Sequence, residues 1–202
     1  MEGEEKRTYN IEFSCVEDRE DGKVVNTRIK GHAAVFNEFA DIFGFRERIL
    51  PGAFTRAIKD DDVRALFNHD SNFVLGRNKS GTLDMTEDKR GLAVDIDLPD
   101  TQLVRDMVLE PINRGDVSQM SFAFRVIQDE WRHFDDKPDE RDIKEVRLYD
   151  VSPVTYPAYE GTDVALASRS KSLELHEHEG DSFRNIPMLR RKLDLKIKEE
   201  TV

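Results

Sequence analysis

Alternating apolar and polar residues predict that this chain folds mainly into short β-strands. The pattern is clearest after the turn at residues 115–116, where Met120, Phe122 and Phe124 alternate with small or polar residues. This period places every second side chain on one face of a half-buried strand. Ser121 falls on the opposite face, so the strand would present a small hydroxyl beside large apolar neighbours.

Further strands and two helices are predicted around this strand. Paired alternating segments that flank turn signals such as Asp21-Gly22 indicate two hairpins. Pro51 favours the start of a short helix over residues 51–58, and Thr101 can cap a helix that runs to about residue 114. Residues 37–47 are predicted to form a loop. Besides the strand that carries Ser121, the predicted strands cover residues 8–16, 24–36, 63–70, 82–85, 92–98 and 143–154.

These elements amount to about seven short strands and two helices, which is close to a β-barrel with helical cover. The chain has 202 residues, of which 38% are apolar, enough for one domain with a sizeable core. From about residue 170 few aromatic residues remain, and acidic and basic residues alternate. We therefore predict a folded domain over residues 1–169 and a charged tail over residues 170–202 that is flexible or docks on a partner.

Charge and cysteine content narrow the classes of function. The net charge of −11 argues against nucleic acid as the main partner, because proteins that bind it present a basic face. The single cysteine, Cys15, cannot form an intramolecular disulfide, and no apolar run is long enough for a membrane span. The sequence thus predicts a soluble cytoplasmic protein. No glycine-rich phosphate loop is present, and neither the acidic run 60–62 nor the tail histidines His176 and His178 are expected to hold a metal, so we expect no cofactor.

The strand over residues 143–154 carries an anomaly. Val146, Leu148 and Asp150 alternate onto one face, so a carboxylate is predicted among apolar residues. A buried carboxylate costs free energy unless it is paired. Asp150 therefore either pairs with a cation such as Arg125 or takes part in chemistry.

Three polar residues at the faces or ends of predicted strands are candidates for nucleophilic catalysis. A catalytic triad needs a hydroxyl, an imidazole that takes its proton, and a group that fixes the imidazole tautomer. Ser121, His69 and Asp150 supply these three groups. Each residue also has a structural interpretation, since a turn histidine, a small strand residue and an ion-paired aspartate are all common in folded proteins.

Eight segments between residues 31 and 159 form a recognisable series. They are Gly31–Phe36, Leu50–Phe54, Leu66–Asp70, Leu75–Arg77, Ser80–Leu83, Asp88 with Gly91-Leu92, Gly115–Phe122 and Asp150–Tyr159. Together they resemble the prohead maturation protease family of tailed bacteriophages, of the Hong Kong 97 type. The series covers about two thirds of the chain and keeps the order of the family's segments.

The resemblance implies a serine endopeptidase of mainly β (α+β) fold, a herpesvirus-assemblin-like β-barrel of about six to seven strands flanked by helices. Such enzymes cut scaffold segments and extensions of the major capsid protein inside the immature capsid, and often themselves. The resemblance implies that Ser121 is the nucleophile and His69 its base. Asp150 is the implied third member, with Glu145 and Asp70 as alternatives.

Further expectations follow from the same resemblance. Gln119 stands where the family commonly has glycine, so the turn before Ser121 is expected to differ. By analogy with assemblins, oxyanion donors would come from near Ala158-Tyr159, and the protein would self-associate as a dimer. It would act in the host cytoplasm, packaged inside the prohead, and its tail would be removed by autoprocessing. Two other functions stay open: an inactive scaffolding protein that binds capsid or portal subunits, and a small-ester hydrolase, although the Gly-x-Ser-x-Gly elbow is missing.

Overall fold

The chain folds into two β-sheets that share one apolar core. A computed structural model describes residues 4–9, 13–42 and 44–156. Within these ranges the strands are β1 (Glu5–Tyr9), β2 (Ser14–Glu20), β3 (Lys23–Val35), β4 (Ala40–Ile42), β5 (Phe45–Ile49), β6 (Arg64–Phe67), β7 (Asp70–Arg77), β8 (Leu83–Glu87), β9 (Gly91–Asp97), β10 (Gln119–Arg132) and β11 (Asp139–Val154).

Short helices follow β5 and β9, as the sequence predicts, but the first begins at Thr55 and not at Pro51. The carboxylate of Glu87 accepts hydrogen bonds of 2.8 Å each from the Phe54 amide and the Thr55 hydroxyl, and so satisfies donors at the start of the first helix. Thr101 caps the second helical stretch by accepting from the Val104 amide at 3.3 Å. No described helix is long and apolar enough to cross a membrane. The helical elements are α1 (Thr55–Asp60), a 3-10 turn (Asn78–Ser80), α2 (Gln102–Val104), a π-helical turn (Arg105–Leu109) and α3 (Glu110–Arg114).

The two sheets differ in size and in strand direction. The larger sheet has the order β1-β10-β11-β5-β4, and β6 with its hairpin partner β7 also joins β11. Both β5 and β6 run parallel to β11, at opposite ends of that long strand. Strand β10 is antiparallel to both of its neighbours, β1 and β11. The smaller sheet has the order β2-β3-β9-β8 and is antiparallel throughout. The pairing of β10 with β11 therefore forms the centre of the larger sheet.

The prediction of a mainly β fold is confirmed, but the predicted closed barrel of six to seven strands is wrong. Within the described residues there are eleven strands, and neither sheet closes on itself. The segment predicted as one strand over residues 8–16 spans β1 and β2, which belong to different sheets. The predicted loop over residues 37–47 contains β4 and the start of β5. Strand β5 was missed because its buried middle position is Glu47 rather than an apolar residue.

The core lies between the two sheets and holds β10 in place. Phe122, two positions along from Met120, is fully buried and packs against Phe54 in an edge-on contact with 5.6 Å between ring centroids. Large core residues come from both sheets, and each is at most 1% exposed: Ile29, Leu92, Ile96, Phe122, Phe124 and Leu148. The predicted domain boundary after residue 169 and the predicted tail lie outside the described residues.

Candidate active site

Ser121 lies in the middle of the larger sheet, on the face of β10 that points away from the aromatic core. The sequence prediction of a strand with Met120 and Phe122 on one face and Ser121 on the other is confirmed. In the strand register Ser121 lies opposite Thr8 of β1 and opposite Ser152 of β11. The residue is fully buried. A small side chain at this position leaves room for a residue from a neighbouring element.

A bulge in β11 places Asp150 on the Ser121 face. The register pairs Phe124 with Leu148 but Ala123 with Asp150, so Tyr149 is an extra residue on β11. Because paired residues on adjacent strands point to the same face, Leu148 faces the core and Asp150 faces the opposite side. The prediction that Asp150 shares the apolar face of Leu148 is therefore wrong. Strict alternation fails at the extra residue, and the carboxylate is thereby removed from the apolar core.

His69 reaches Ser121 from a tight hairpin turn between β6 and β7. Asn68 and His69 both have left-handed backbone conformations, with φ of 54° and 57°, as a two-residue hairpin turn requires. Two hydrogen bonds of Asn68 connect this turn to the end of β11. The backbone N–H of Asn68 donates to the Pro153 carbonyl at 3.0 Å, and its side-chain oxygen accepts from the backbone N–H of Thr155 at 2.8 Å. His69 thus lies in the turn between β6 and β7, whereas the sequence predicted one continuous strand over residues 63–70.

Hydrogen bonds join the three predicted residues in a line. The Ser121 Oγ and His69 Nε2 atoms are 2.7 Å apart, and the His69 Nδ1 and Asp150 Oδ1 atoms are 2.6 Å apart. A carboxylate only accepts, so the ring proton belongs on Nδ1, and Nε2 is left to accept from the serine hydroxyl. The side chains of His69 and Asp150 are each 10% exposed, so their contact is largely shielded from water. This arrangement has the atom order of a Ser-His-Asp catalytic triad.

The two alternative carboxylates have other partners. Glu145 forms an ion pair with Arg56 at 2.8 Å. Asp70 follows His69 directly in the chain, but its carboxylate accepts from the Asn72 amide at 2.8 Å. Asp150 is therefore the predicted carboxylate that lies against the imidazole.

Two neighbours of the triad were not predicted from the sequence. The Ser152 hydroxyl donates to Asp150 Oδ1 at 2.6 Å, and the backbone carbonyl of Arg7 lies 2.9 Å from Ser121 Oγ. The two-residue spacing in an extended strand is a signal that could have placed Ser152 on the face of Asp150. The Arg7 contact uses a backbone atom and 114 residues of sequence separation, so no local pattern indicates it.

A comparison with protein-family models identifies the family. The model of the caudovirus prohead serine protease family matches residues 14–178. The chain belongs to this family. It is a prohead serine protease, as the resemblance in the sequence implies.

Comparisons with individual proteins add evidence on the fold. No curated protein matches this protease. Among solved structures, it is similar to the capsid assembly protease of bacteriophage T4, with a TM-score of 0.51 and 12% sequence identity. The match covers 75% of this chain and 96% of the T4 chain. At this identity the similarity shows a shared fold, and the residue roles depend on the geometry of this chain.

A buried cluster of charges lies between β1 and the neighbouring strands of the larger sheet. We call Glu5, Arg7, Glu47 and Arg141 the β1 charge cluster; all four residues are at most 9% exposed. The Arg7 guanidinium bonds both carboxylates, and Arg141 reaches Glu5 at 3.1 Å and Glu47 at 3.4 Å. Burial alone would lower the pKa of Arg7, but the charges and hydrogen bonds of Glu47 and Glu5 outweigh it and hold that pKa above its usual range. The cluster therefore keeps Arg7 charged and its carbonyl beside Ser121.

Other polar residues singled out in the sequence have structural partners or lie outside the described residues. In the acidic run, the Asp61 carboxylate accepts from the Leu148 amide at 2.8 Å, next to the bulge, and Asp62 pairs with Arg77 at 2.6 Å. His32, which belongs to the Gly31–Phe36 segment of the series that resembles the family, contacts the Asp88 carboxylate at 2.8 Å. The tail histidines and the predicted oxyanion donors at residues 158–159 belong to the part of the chain that the structure does not describe.

Proposed function

We propose that this prohead protease cleaves peptide bonds with Ser121 as nucleophile, His69 as general base and acid, and Asp150 as the group that orients the imidazole. One observation carries the proposal: the hydrogen bonds of 2.7 Å and 2.6 Å that join the three side chains in that order. The residues come from three separate elements, β10, the β6–β7 turn and β11.

The reaction follows from this arrangement. His69 Nε2 takes the hydroxyl proton as Ser121 Oγ attacks the scissile carbonyl carbon, and a tetrahedral oxyanion forms. The imidazolium then gives that proton to the leaving amine, the C–N bond breaks, and an acyl-enzyme ester remains on Ser121. Water then attacks the ester carbonyl carbon and loses a proton to His69. The imidazolium returns this proton to Ser121 Oγ as the acyl–oxygen bond breaks, so the acid product leaves and the free serine is restored. Asp150 stays ionised throughout and stabilises the positive imidazolium at each step.

We propose substrates from the family of the enzyme. Extensions of the major capsid protein and segments of scaffold are the substrates, and the protease cuts them inside the prohead in the host cytoplasm. The similar T4 protein is itself a capsid assembly protease. We also propose that the enzyme removes its own residues 170–202, that residues 158–159 supply oxyanion donors, and that it dimerises as assemblins do. Sedimentation of the active enzyme as a monomer at every concentration would refute the dimer.

Co-expression with the cognate major capsid protein tests the assignment of residues. Wild-type protease should shorten the capsid protein by a defined mass, and Ser121→Ala should leave it intact. Ser118→Ala is a matched control, because Ser118 is an exposed serine three positions earlier on the same segment. The Ser118→Ala variant should cleave the capsid protein normally. If Ser121→Ala processed the capsid protein fully and Ser118→Ala did not, the assignment of Ser121 would be refuted and Ser118 would be the nucleophile.

A second experiment addresses the alternative of an inactive assembly protein, which neither comparison supports. A serine-reactive fluorophosphonate should label Ser121 in the wild-type protein, because His69 activates its hydroxyl. The label should be absent from His69→Ala, which keeps the serine but lacks the base. Equal labelling of both proteins, or none in either, would contradict the proposed activation.

A further inference from the structure

We infer that Ser152 is a positioning residue for catalysis, which fixes the Asp150 carboxylate against His69. The inference rests on the proposed triad and adds a fourth side chain to it. Ser152 lies on β11 two residues after Asp150 and directly opposite Ser121 in the strand register. It therefore shares the face of the sheet on which the triad lies.

The contacts of Ser152 are directed at one atom of the triad. Its hydroxyl donates to Asp150 Oδ1 at 2.6 Å, the same oxygen that accepts from His69 Nδ1 at 2.6 Å. Because both donors bind the same oxygen, rotation of the carboxylate about its terminal bond would break both hydrogen bonds. Ser152 itself is fully buried, so its donation is not exchanged for a bond to water. The hydroxyl thus holds the carboxylate in the orientation that the imidazole needs.

The same hydrogen bond stabilises the charge on Asp150. A hydrogen bond that a hydroxyl donates to a carboxylate is charge-assisted and roughly twice as strong as one between neutral groups. Asp150 is itself 7% exposed, so water contributes little to its solvation and the Ser152 donation matters more. Without the Ser152 hydroxyl, the Asp150 carboxylate is free to move away from His69 Nδ1. The imidazolium that forms during the proposed reaction then loses part of its stabilisation.

Ser152→Ala is the direct test, because it removes one oxygen atom and leaves the strand intact. Hydrogen bonds to charged groups are worth about 1.5–3 kcal/mol, so kcat should fall about 10- to 150-fold. KM should change by less than about twofold, since the hydroxyl acts through Asp150 and does not touch substrate. The assay uses the purified full chain and a peptide that spans the capsid cleavage site found by co-expression. Unchanged kcat, or a change confined to KM, would overturn the inference.

A double-mutant cycle tests whether Ser152 acts through Asp150. In the Asp150→Asn background, adding Ser152→Ala should lower kcat by no more than about twofold, because the group that it positions is already gone. Independent effects that multiply would show that Ser152 acts by another route. Thr82→Val is the matched control: it removes a hydroxyl that accepts from the Arg77 amide at 3.0 Å, at the far end of β7 from His69, and should leave kcat unchanged.

A spectroscopic measurement keeps the inference testable without activity. In Ser121→Ala protein, which cannot cleave itself, the His69 Nδ1 proton should give a low-field NMR resonance from its short bond to Asp150. Adding Ser152→Ala should shift or broaden that resonance, whereas adding Thr82→Val should not. If the resonance is absent before Ser152 is changed, the proposed triad fails. If the resonance is present and Ser152→Ala leaves it unmoved, the triad stands and the role of Ser152 is refuted.

Discussion

Replacing Glu47 with alanine should destabilise the protein although Glu47 is remote from the triad in sequence. Its side chain is 2% exposed and belongs to the β1 charge cluster, where it bonds Arg7 in a two-pronged contact and lies 3.4 Å from Arg141. Glu47→Ala leaves Arg7 with the carboxylate of Glu5, which it shares with Arg141, while Arg141 keeps Asp129 as a further partner at 2.7 Å. The loss therefore combines broken hydrogen bonds with uncompensated buried charge.

The structure sets the size of the effect. Breaking a buried ion pair by removing one partner typically costs 3–5 kcal/mol. Glu5 stays in contact with Arg7 at 2.7 Å and with Arg141 at 3.1 Å, so we expect the lower end, about 3 kcal/mol. For a domain of this size that corresponds to a fall of about 6–12 °C in Tm.

Denaturant unfolding of the Ser121→Ala protein, which cannot digest itself, measures this effect. The midpoint should fall in Glu47→Ala with little change in the slope of free energy against denaturant. Glu17→Ala is the matched control, because Glu17 also pairs with an arginine, Arg19, but its side chain is 47% exposed and the pair is worth at most about 1 kcal/mol. Equal losses in the two variants would refute the reasoning that burial makes the β1 charge cluster important.

Three further predictions concern the site and its frame. Asp150→Asn should fold normally but lower kcat about 10⁴-fold in a peptide assay, because the ring tautomer is no longer fixed, whereas Glu145→Gln should stay within a few-fold. Gly91→Ala should cost about 2–3 kcal/mol in denaturant unfolding, because its Cβ would lie 1.9 Å from the Ala34 carbonyl oxygen. The Gly91 amide and a nearby histidine lower the pKa of Asp88 to about 2. The ionised Asp88 carboxylate therefore stabilises the fold fully above about pH 4, and this contribution is lost as pH falls through about 2. In an acid titration, the free energy of unfolding of Asp88→Asn should fall less steeply than that of the protein with Asp88.

The strand of Ser121 was predictable because its local pattern and its tertiary role agree. Large residues at Met120, Phe122 and Phe124 fill the core, and the intervening positions are small because the site occupies that side. Local periodicity records this arrangement directly. The residue pattern proposed Ser121, His69 and Asp150 as candidates but left structural roles open for each. The resemblance to the family favoured the catalytic interpretation, since residues from three elements meet only after folding.

The parts that were not predictable depend on single extra residues or on distant partners. Tyr149 shifts the alternation of β11 by one position, and nothing in its residue type indicates a bulge. A glutamate such as Glu47 in β5 is expected at the surface, because its pairing with Arg7, 40 positions earlier, is not visible in the local sequence. The predicted barrel failed for the same reason, because the alternation of β1 and β2 carries no information on which sheet each strand joins.

The backbone carbonyl of Arg7 in β1 contacts the hydroxyl of Ser121, the proposed nucleophile. Ser121 has one hydroxyl proton and two acceptors, the Arg7 carbonyl at 2.9 Å and His69 Nε2 at 2.7 Å. With the ring proton of His69 on Nδ1, Nε2 accepts from the Ser121 hydroxyl, as the proposed mechanism requires. When His69 is protonated, Nε2 becomes a donor to Ser121 Oγ, and the hydroxyl proton turns to the Arg7 carbonyl. The buried serine hydroxyl thus has a hydrogen-bond acceptor in both cases. One of the two acceptors is a backbone carbonyl of β1, the strand to which Glu5 and Arg7 of the β1 charge cluster belong.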